Sequence, residues 1–96
     1  MADLRVVGIP KAKPGSEQVV QDALVALVEP TRAEAGCLSY ELLASATEPG
    51  TFFTIETWTD GGELDAHMQT PHVQQALAAA GDHLAAAPDI QQLHAV

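Results

Sequence analysis

The side chains most able to do acid–base chemistry lie between residues 56 and 72 of this 96-residue chain. Glu56 and Trp58 lie two residues apart, on one face of a β-prone segment. His67 and His72 follow this segment, one on each side of a Thr-Pro break. His72 falls in the first turn of a predicted helix, where the positive end of the helix dipole disfavours a protonated imidazole. A neutral imidazole accepts a proton near neutral pH, as a general base must. The pattern therefore predicts a catalytic site with His72 or His67 as the base and Glu56 beside it.

Each of these residues also has a purely structural interpretation that the sequence leaves open. Trp58 on a strand can be a core side chain rather than a surface on which a ligand stacks. His67 lies four residues after Glu63 on an apolar helix face, so it can be a core histidine that pairs with Glu63. His72 can be a partly exposed residue of a first helical turn.

The other polar residues also have structural interpretations. A carboxylate in mid-strand, such as Glu56, is costly to bury alone, so it needs a partner or a polar pocket. Tyr40 is a candidate for substrate binding, and a buried phenol usually finds a hydrogen bond. Cys37 is expected to be a small buried residue, because no cation nearby in the sequence activates it. His83 and His94 are expected at the surface.

The sequence shows no pattern typical of a metal, nucleotide or flavin site. His67 and His72 are five residues apart with Pro71 between them, unlike the i, i+4 pair of a helical zinc site. Gly61-Gly62 is too short for a glycine-rich phosphate loop, and the single cysteine excludes a multi-cysteine metal site. An enzyme with this sequence is therefore expected to work without a metal or other cofactor.

The negative charge of the chain limits the classes of ligand that it can bind. The chain has a formal charge of −9, with four Lys and Arg residues against 13 Asp and Glu residues. No Lys or Arg follows Arg32, so the sequence offers no cationic surface for nucleic acid or for an anionic membrane. A small neutral or aromatic ligand suits this composition better than a polyanion does.

Length and hydropathy place the chain among compact globular proteins. Its length fits one domain, residues 1–96, and its hydrophobic content of 47% argues against disorder. The N-terminus lacks a basic segment followed by a long apolar one, and no run approaches the roughly 18 apolar residues of a membrane span. Together with the lone cysteine, these features predict a reduced, cytoplasmic protein.

Periodicity and turn residues predict the element order β-α-β-β-α-β. This order is typical of α+β proteins with the ferredoxin-like split βαβ sandwich, in which helices cover one face of a four-stranded antiparallel sheet. The predicted elements are strand 4–12, a helix from the N-cap Ser16 to Pro30, strands 37–46 and 52–59, a helical region capped by Asp60, restarted at Thr70-Pro71 and stopped by Pro88, and strand 90–96.

The third strand carries bulky apolar residues on both faces. Phe53 and Ile55 point one way, while Phe52 and Trp58 point the other. A solvated sheet face would be polar, so a second subunit is expected to cover it. A symmetric homodimer is the simplest arrangement that does so.

Four segments carry a resemblance that spans nearly the whole chain, in order: Ala12–Gly15, Thr31–Glu41, Glu56–Trp58 and His67–His72. The E-x-W strand and the H-x-x-T-P-H break are its most specific parts. Together these segments resemble the antibiotic biosynthesis monooxygenase (ABM) domain family.

The resemblance implies a dimeric α/β barrel of ferredoxin-like subunits, with a pocket between sheet and helices in each. Members include cofactor-independent monooxygenases that oxidise phenols or quinols with O₂, haem-degrading enzymes, and enzymes that isomerise or break down small signalling molecules. Trp58 matches the pocket tryptophan, and Glu56, His67 and His72 match polar pocket positions. The haem-degrading branch uses an asparagine on strand one; this chain contains no asparagine, so haem breakdown is not expected.

The leading hypothesis is a homodimeric, cofactor-independent monooxygenase that oxidises a small phenol or quinol with O₂. In it, His72 or His67 is the base, and Trp58 and Tyr40 bind the substrate. Two alternatives stay open: an isomerase or degradation enzyme for a small hydroxy-ketone signalling molecule, and a non-catalytic dimeric ligand-binding module.

Overall fold

The computed structural model describes residues 3–96, and its elements follow the predicted order. The strands are β1 (Leu4–Ile9), β2 (Cys37–Ala44), β3 (Phe52–Trp58) and β4 (Asp89–Leu93), and the helices are α1 (Glu17–Arg32), α2 (Gly61–Met68) and α3 (Pro71–Ala80). The strands form one antiparallel sheet in the order β2-β3-β1-β4. This is the ferredoxin-like α+β fold, and the predicted fold class is confirmed. Among residues 3–96, no helix is both long and apolar enough to span a bilayer.

The central strand β3 separates two faces of the sheet as its alternation predicts. Every second residue from Phe52 to Trp58 is buried, and the residues between them are only partly buried. The buried face meets the helices, where Val20 and Ala23 of α1 pack with Phe52. Trp58 packs with Val6 and Leu64 in a second cluster. The side chains of Glu56 and Trp58 therefore both point into the layer between sheet and helices.

Helix α1 continues two residues past the predicted end at Pro30. Proline has no N–H to donate to the preceding turn, yet the amide of Ala33 still donates to the carbonyl of Glu29 at 3.2 Å, which closes the last turn. Ser16 occupies the N-cap position without capping the helix, because its hydroxyl bonds Nδ1 of His83 at 3.0 Å. His83 is therefore partly buried, and the prediction that it is a surface residue is wrong.

The break between α2 and α3 is built by local capping. The side chain of Asp60 accepts from the amide of Glu63 at 3.0 Å and starts α2. Thr70 accepts from the amide of Val73 at 3.3 Å and starts α3, with Pro71 at the first helical position. Both predicted caps are confirmed. The break places His67 in the last turn of α2 and residue 72 in the first turn of α3.

The remaining elements begin or end at residues other than those predicted. Helix α3 ends at Ala80, not before Pro88, because a 3₁₀ turn (Gly81–His83) reverses the chain and Leu84 forms an isolated bridge with Ala12. The bridge between Ala12 and Leu84 extends strand pairing beyond Pro10, although Pro10 itself has no N–H to donate to a neighbouring strand. The strands predicted as 4–12, 37–46, 52–59 and 90–96 end or begin up to three residues away from those limits.

Candidate active site

A carboxylate from the loop between α1 and β2 joins the two histidines. Oε2 of Glu34 lies 2.7 Å from Nδ1 of His67 and 2.7 Å from Nε2 of His72. The exposed fraction of the side chain is 6% for His67, 17% for Glu34 and 21% for His72. An ionised carboxylate only accepts hydrogen bonds, so this arrangement suits histidines that carry a proton on each ring nitrogen facing Glu34. The two predicted histidines are thus brought together by a residue that sequence reasoning missed.

The predicted pair of His67 with Glu63 is wrong. His67 is the buried end of α2, and its ring points inward to Glu34. Glu63 instead packs its side chain over Gly36, where a Cβ would collide with it. The carbonyl of Gly36 also accepts from the amide of Thr59 at 3.0 Å. This close approach holds the loop that carries Glu34 against α2.

Trp58 lies behind His67. Its side chain is fully buried, and its ring centroid is 4.8 Å from that of His67. Its indole N–H donates to Oε1 of Glu56 at 2.9 Å. Trp58 is therefore a core side chain, which was one of the two interpretations that the sequence left open. Its ring packs near His67, and its N–H orients Glu56.

Glu56 is the buried carboxylate that the sequence expected to need a partner. It is 6% exposed in the middle of β3. Oε2 accepts from the hydroxyl of Thr54 at 2.7 Å, and Oε1 accepts from Trp58. Each carboxylate oxygen thus accepts a hydrogen bond from a side chain on the same face of β3, and these bonds offset the cost of burying the charge.

Tyr40 stands opposite Glu56 on the neighbouring strand β2. It is 4% exposed, and its ring centroid is 6.2 Å from that of His67. Its hydroxyl makes no hydrogen bond within residues 3–96, in contrast to the expectation for a buried phenol. Burial raises the pKa of Tyr40 above its ordinary value of 10.0, and the negative charge of Glu56 adds to the shift. The phenol stays protonated at neutral pH, and Tyr40 lines a cavity between sheet and helices, so its hydroxyl is a hydrogen-bond donor available there.

A cavity of about 100 Å³ lies between sheet and helices and is shared by the acid–base residues. Tyr40, Glu56 and His67 line it together with apolar side chains that include Leu27 and Val73. His72 and Trp58 are absent from its walls and support His67 from outside. A larger surface groove of about 350 Å³ along Arg32 and residues 37–41 contains neither histidine. The small cavity is therefore the candidate active site.

Gly8 on β1 controls the position of Glu56. A Cβ at Gly8 would lie 2.5 Å from Oγ1 of Thr54, the donor to Glu56. We expect Gly8→Ala to push that hydroxyl away and to lower the free energy of unfolding by about 1–3 kcal/mol, measured by urea denaturation. The matched control is Gly61→Ala, because among residues 3–96 nothing beyond its chain neighbours and its own helix backbone lies within 4 Å of a Cβ at Gly61. Equal stability of the two variants would contradict this role of Gly8.

The reactivity of the Cys37 thiol depends on the charge of Glu34. Burial raises the pKa of the Cys37 thiol above its ordinary value of 9.0, and the negative charge of Glu34 raises it further. We expect slow alkylation by iodoacetamide at pH 8 and a rate that rises with pH through the alkaline range, because only the thiolate reacts. Glu34→Gln removes a negative charge and should increase the rate at pH 8 severalfold, whereas Glu41→Gln at an exposed position should not. An unchanged rate in Glu34→Gln would contradict the shift.

The sequence of this chain matches a known family over most of its length. Residues 4–79 match the family model described as antibiotic biosynthesis monooxygenase. The chain belongs to the antibiotic biosynthesis monooxygenase family. This confirms the family resemblance carried by the E-x-W and H-x-x-T-P-H segments.

Individual ABM relatives are similar over most of the chain. It is 33% identical over 86 residues to "Uncharacterized protein sll1783" of Synechocystis, covering 90% of this chain and 58% of that protein. It is 33% identical over 78 residues to "Putative monooxygenase YcnE" of Bacillus subtilis, covering 81% of each. The crystal structure of PA3566 from Pseudomonas aeruginosa superimposes with a TM-score of 0.94 at 32% identity, covering 100% of this chain and 96% of that one. The chain thus spans just over half the length of the Synechocystis relative.

Proposed function

We propose that this ABM protein is a cofactor-independent monooxygenase that oxidises a single-ring hydroquinone or phenol with O₂. The observation that carries the proposal is the placement of His67, whose Nδ1 faces Glu34 while its ring lines the cavity. The monooxygenase name of the Bacillus relative supports the same reaction class.

His67 is the base in this proposal. Its Nδ1 proton is donated to Glu34, so the lone pair of Nε2, on the other side of the ring, is available to a substrate hydroxyl. His72 does not line the cavity, and it serves as the second hydrogen-bond donor to Glu34. Of the two histidines that the sequence left open, the geometry favours His67.

Tyr40 and Glu56 complete the substrate site. The Tyr40 phenol keeps its proton, because burial and the charge of Glu56 oppose its ionisation. It can therefore donate a hydrogen bond to the oxygen that becomes negative when His67 removes a proton. Glu56 is held by Thr54 and Trp58, so its role is to keep Tyr40 protonated and to orient the polar end of the cavity.

The size of the cavity selects a small substrate. Its volume is about 100 Å³, and most of its lining residues are apolar. Benzene occupies engineered apolar cavities of about 150 Å³, so this cavity must widen even for a single ring and would have to widen much further for a fused-ring substrate. A small apolar cavity also excludes water from the reactive anion.

The reaction balances without an external reductant. The hydroquinone anion is electron-rich and reacts with O₂ at a ring carbon. A C–H bond is replaced by a C–O bond, the O–O bond breaks, and the second oxygen atom leaves as water. A 1,4-hydroquinone plus O₂ thus gives a hydroxyquinone plus water, and the substrate supplies all four electrons. The protein supplies the base, the donor to the oxyanion and the dry cavity.

Labelled oxygen tests this function. The full-length protein is incubated with methyl-substituted hydroquinones, and with a fused-ring quinol for comparison, under ¹⁸O₂. We expect a hydroxyquinone with one ¹⁸O atom, whereas uncatalysed autoxidation yields the plain quinone and hydrogen peroxide. Formation of only quinone and peroxide at the background rate, across the panel, would contradict the proposal. Turnover of a hydroxy-ketone without oxygen would favour the isomerase alternative.

We also propose that the protein is a homodimer formed through the open face of the sheet. Val7 and Ile55 pair across β1 and β3 on this face, and Phe53 pairs with Leu43, which is 47% exposed. An exposed apolar patch of this kind is unfavourable in water.

We expect the wild type to sediment as a dimer and Ile55→Asp to sediment as a monomer. The control is Val25→Asp, since Val25 is 55% exposed on α1 and lies away from this face. A monomeric wild type would contradict the dimer.

A further inference from the structure

We infer that Glu34, His67 and His72 form a binding site for one divalent transition-metal ion. The three residues each present one donor atom, and these atoms all lie within 4.8 Å of one another. They come from three separate segments: the loop after α1, the end of α2 and the start of α3. The sequence argument against a metal site considered only the two histidines of the helical region, and the third donor lies more than 30 residues earlier.

The donor set selects the class of ion. Two imidazole nitrogens with one carboxylate oxygen suit Zn²⁺, Co²⁺ and Fe²⁺. Ca²⁺ and Mg²⁺ prefer sites made of oxygen atoms, so this set discriminates against them. The chain carries a formal charge of −9, which attracts a cation to a partly open site.

The three donor atoms must rearrange to hold the ion. Oε2 of Glu34 is 2.7 Å from each histidine nitrogen. Donor atoms around a tetrahedral ion with bonds of about 2.0 Å lie roughly 3.3 Å apart, so each of the two pairs with Glu34 must separate by roughly 0.6 Å. The two histidine nitrogens, which lie within 4.8 Å of each other, must come closer by up to roughly 1.5 Å. Glu34 and His72 keep 17% and 21% of their side-chain surface exposed, which gives the ion a path and leaves a position for water.

The metal site and the proposed base use opposite nitrogens of one ring. The ion takes Nδ1 of His67, which leaves the proton of that ring on Nε2 and removes the lone pair that the proposed reaction needs. Metal binding should therefore inhibit oxygenation. The site itself does not depend on the proposed function, because binding is measured without substrate.

The test is a titration of the untagged full-length protein with Co²⁺ after treatment with EDTA. We expect saturation at one Co²⁺ per chain, with visible d–d absorption that Zn²⁺ abolishes and Mg²⁺ does not. Glu34→Gln and His72→Gln should each weaken Co²⁺ binding by about tenfold or more. The control His94→Gln, at an exposed position near the C-terminus, should bind as the wild type does.

Two results would overturn the inference. One is the absence of saturable Co²⁺ absorption in the folded wild type. The other is unchanged Co²⁺ binding in folded Glu34→Gln or His72→Gln, which would place the ion elsewhere. Circular dichroism of each variant checks that the variant is folded.

Discussion

We expect His67→Gln to lower oxygen-dependent turnover of the hydroquinone by about 10²–10⁴-fold, the usual contribution of a general base. Glutamine keeps a polar side chain of similar length at the end of α2 but has no basic nitrogen. Among residues 3–96, His67 is the only histidine that lines the cavity, so no other histidine can replace it there. The measurement is kcat/KM from initial rates of ¹⁸O-labelled product.

Two further variants separate this role from general damage to the fold. His94→Gln should keep wild-type turnover, because His94 is exposed and outside the cavity. His72→Gln removes one of the two donors to Glu34 but leaves His67 in place, so we expect a smaller loss than in His67→Gln. If folded His67→Gln turned over at the wild-type rate, the base would have to be another group.

The second large effect concerns stability. We expect Trp58→Ala to lower the free energy of unfolding by about 3–5 kcal/mol, the usual cost of removing a large buried aromatic side chain. Trp58 is fully buried between Val6 and Leu64, and its loss also leaves Oε1 of Glu56 without a donor. Domains of this size are stable by about 5–15 kcal/mol in total, so this variant is expected to be close to unfolding.

Trp58→Phe separates the two contributions. Phenylalanine keeps most of the apolar contact but cannot donate to Glu56, and we expect a loss of about 1–3 kcal/mol from the unpaired oxygen alone. Both variants are measured by urea denaturation followed by circular dichroism, with Val25→Ala at an exposed position as the control. Wild-type stability of Trp58→Phe would show that the bond to Glu56 contributes nothing to the fold.

Much of this fold is predictable from the sequence because its signals are local. Asp60 and Thr70 cap their helices as their residue types indicate, since an N-cap bond involves only the next three residues. Alternation along β3 likewise predicts which residues face the helices. Glu56 was expected to need a partner, and its donors lie two residues away on either side.

The centre of the site is not predictable in this way. Glu34 lies 33 and 38 residues from its two histidines, so no periodicity connects them. Its segment contributed to the family resemblance, which was the one available signal. The local alternative, His67 with Glu63, fits the i, i+4 rule but fails because the ring of His67 points into the core. The end of α3 was missed for a similar reason, since the bridge of Leu84 to Ala12 is a long-range contact.

The most direct test of the account is the tautomer of His67 in solution. A long-range ¹H–¹⁵N correlation spectrum of the labelled, EDTA-treated protein distinguishes the two ring nitrogens of each histidine. The structure predicts that the neutral His67 ring carries its proton on Nδ1, bonded to Glu34, which leaves the lone pair on Nε2. A proton on Nε2 with an unprotonated Nδ1 would contradict the bond to Glu34 and remove the proposed base.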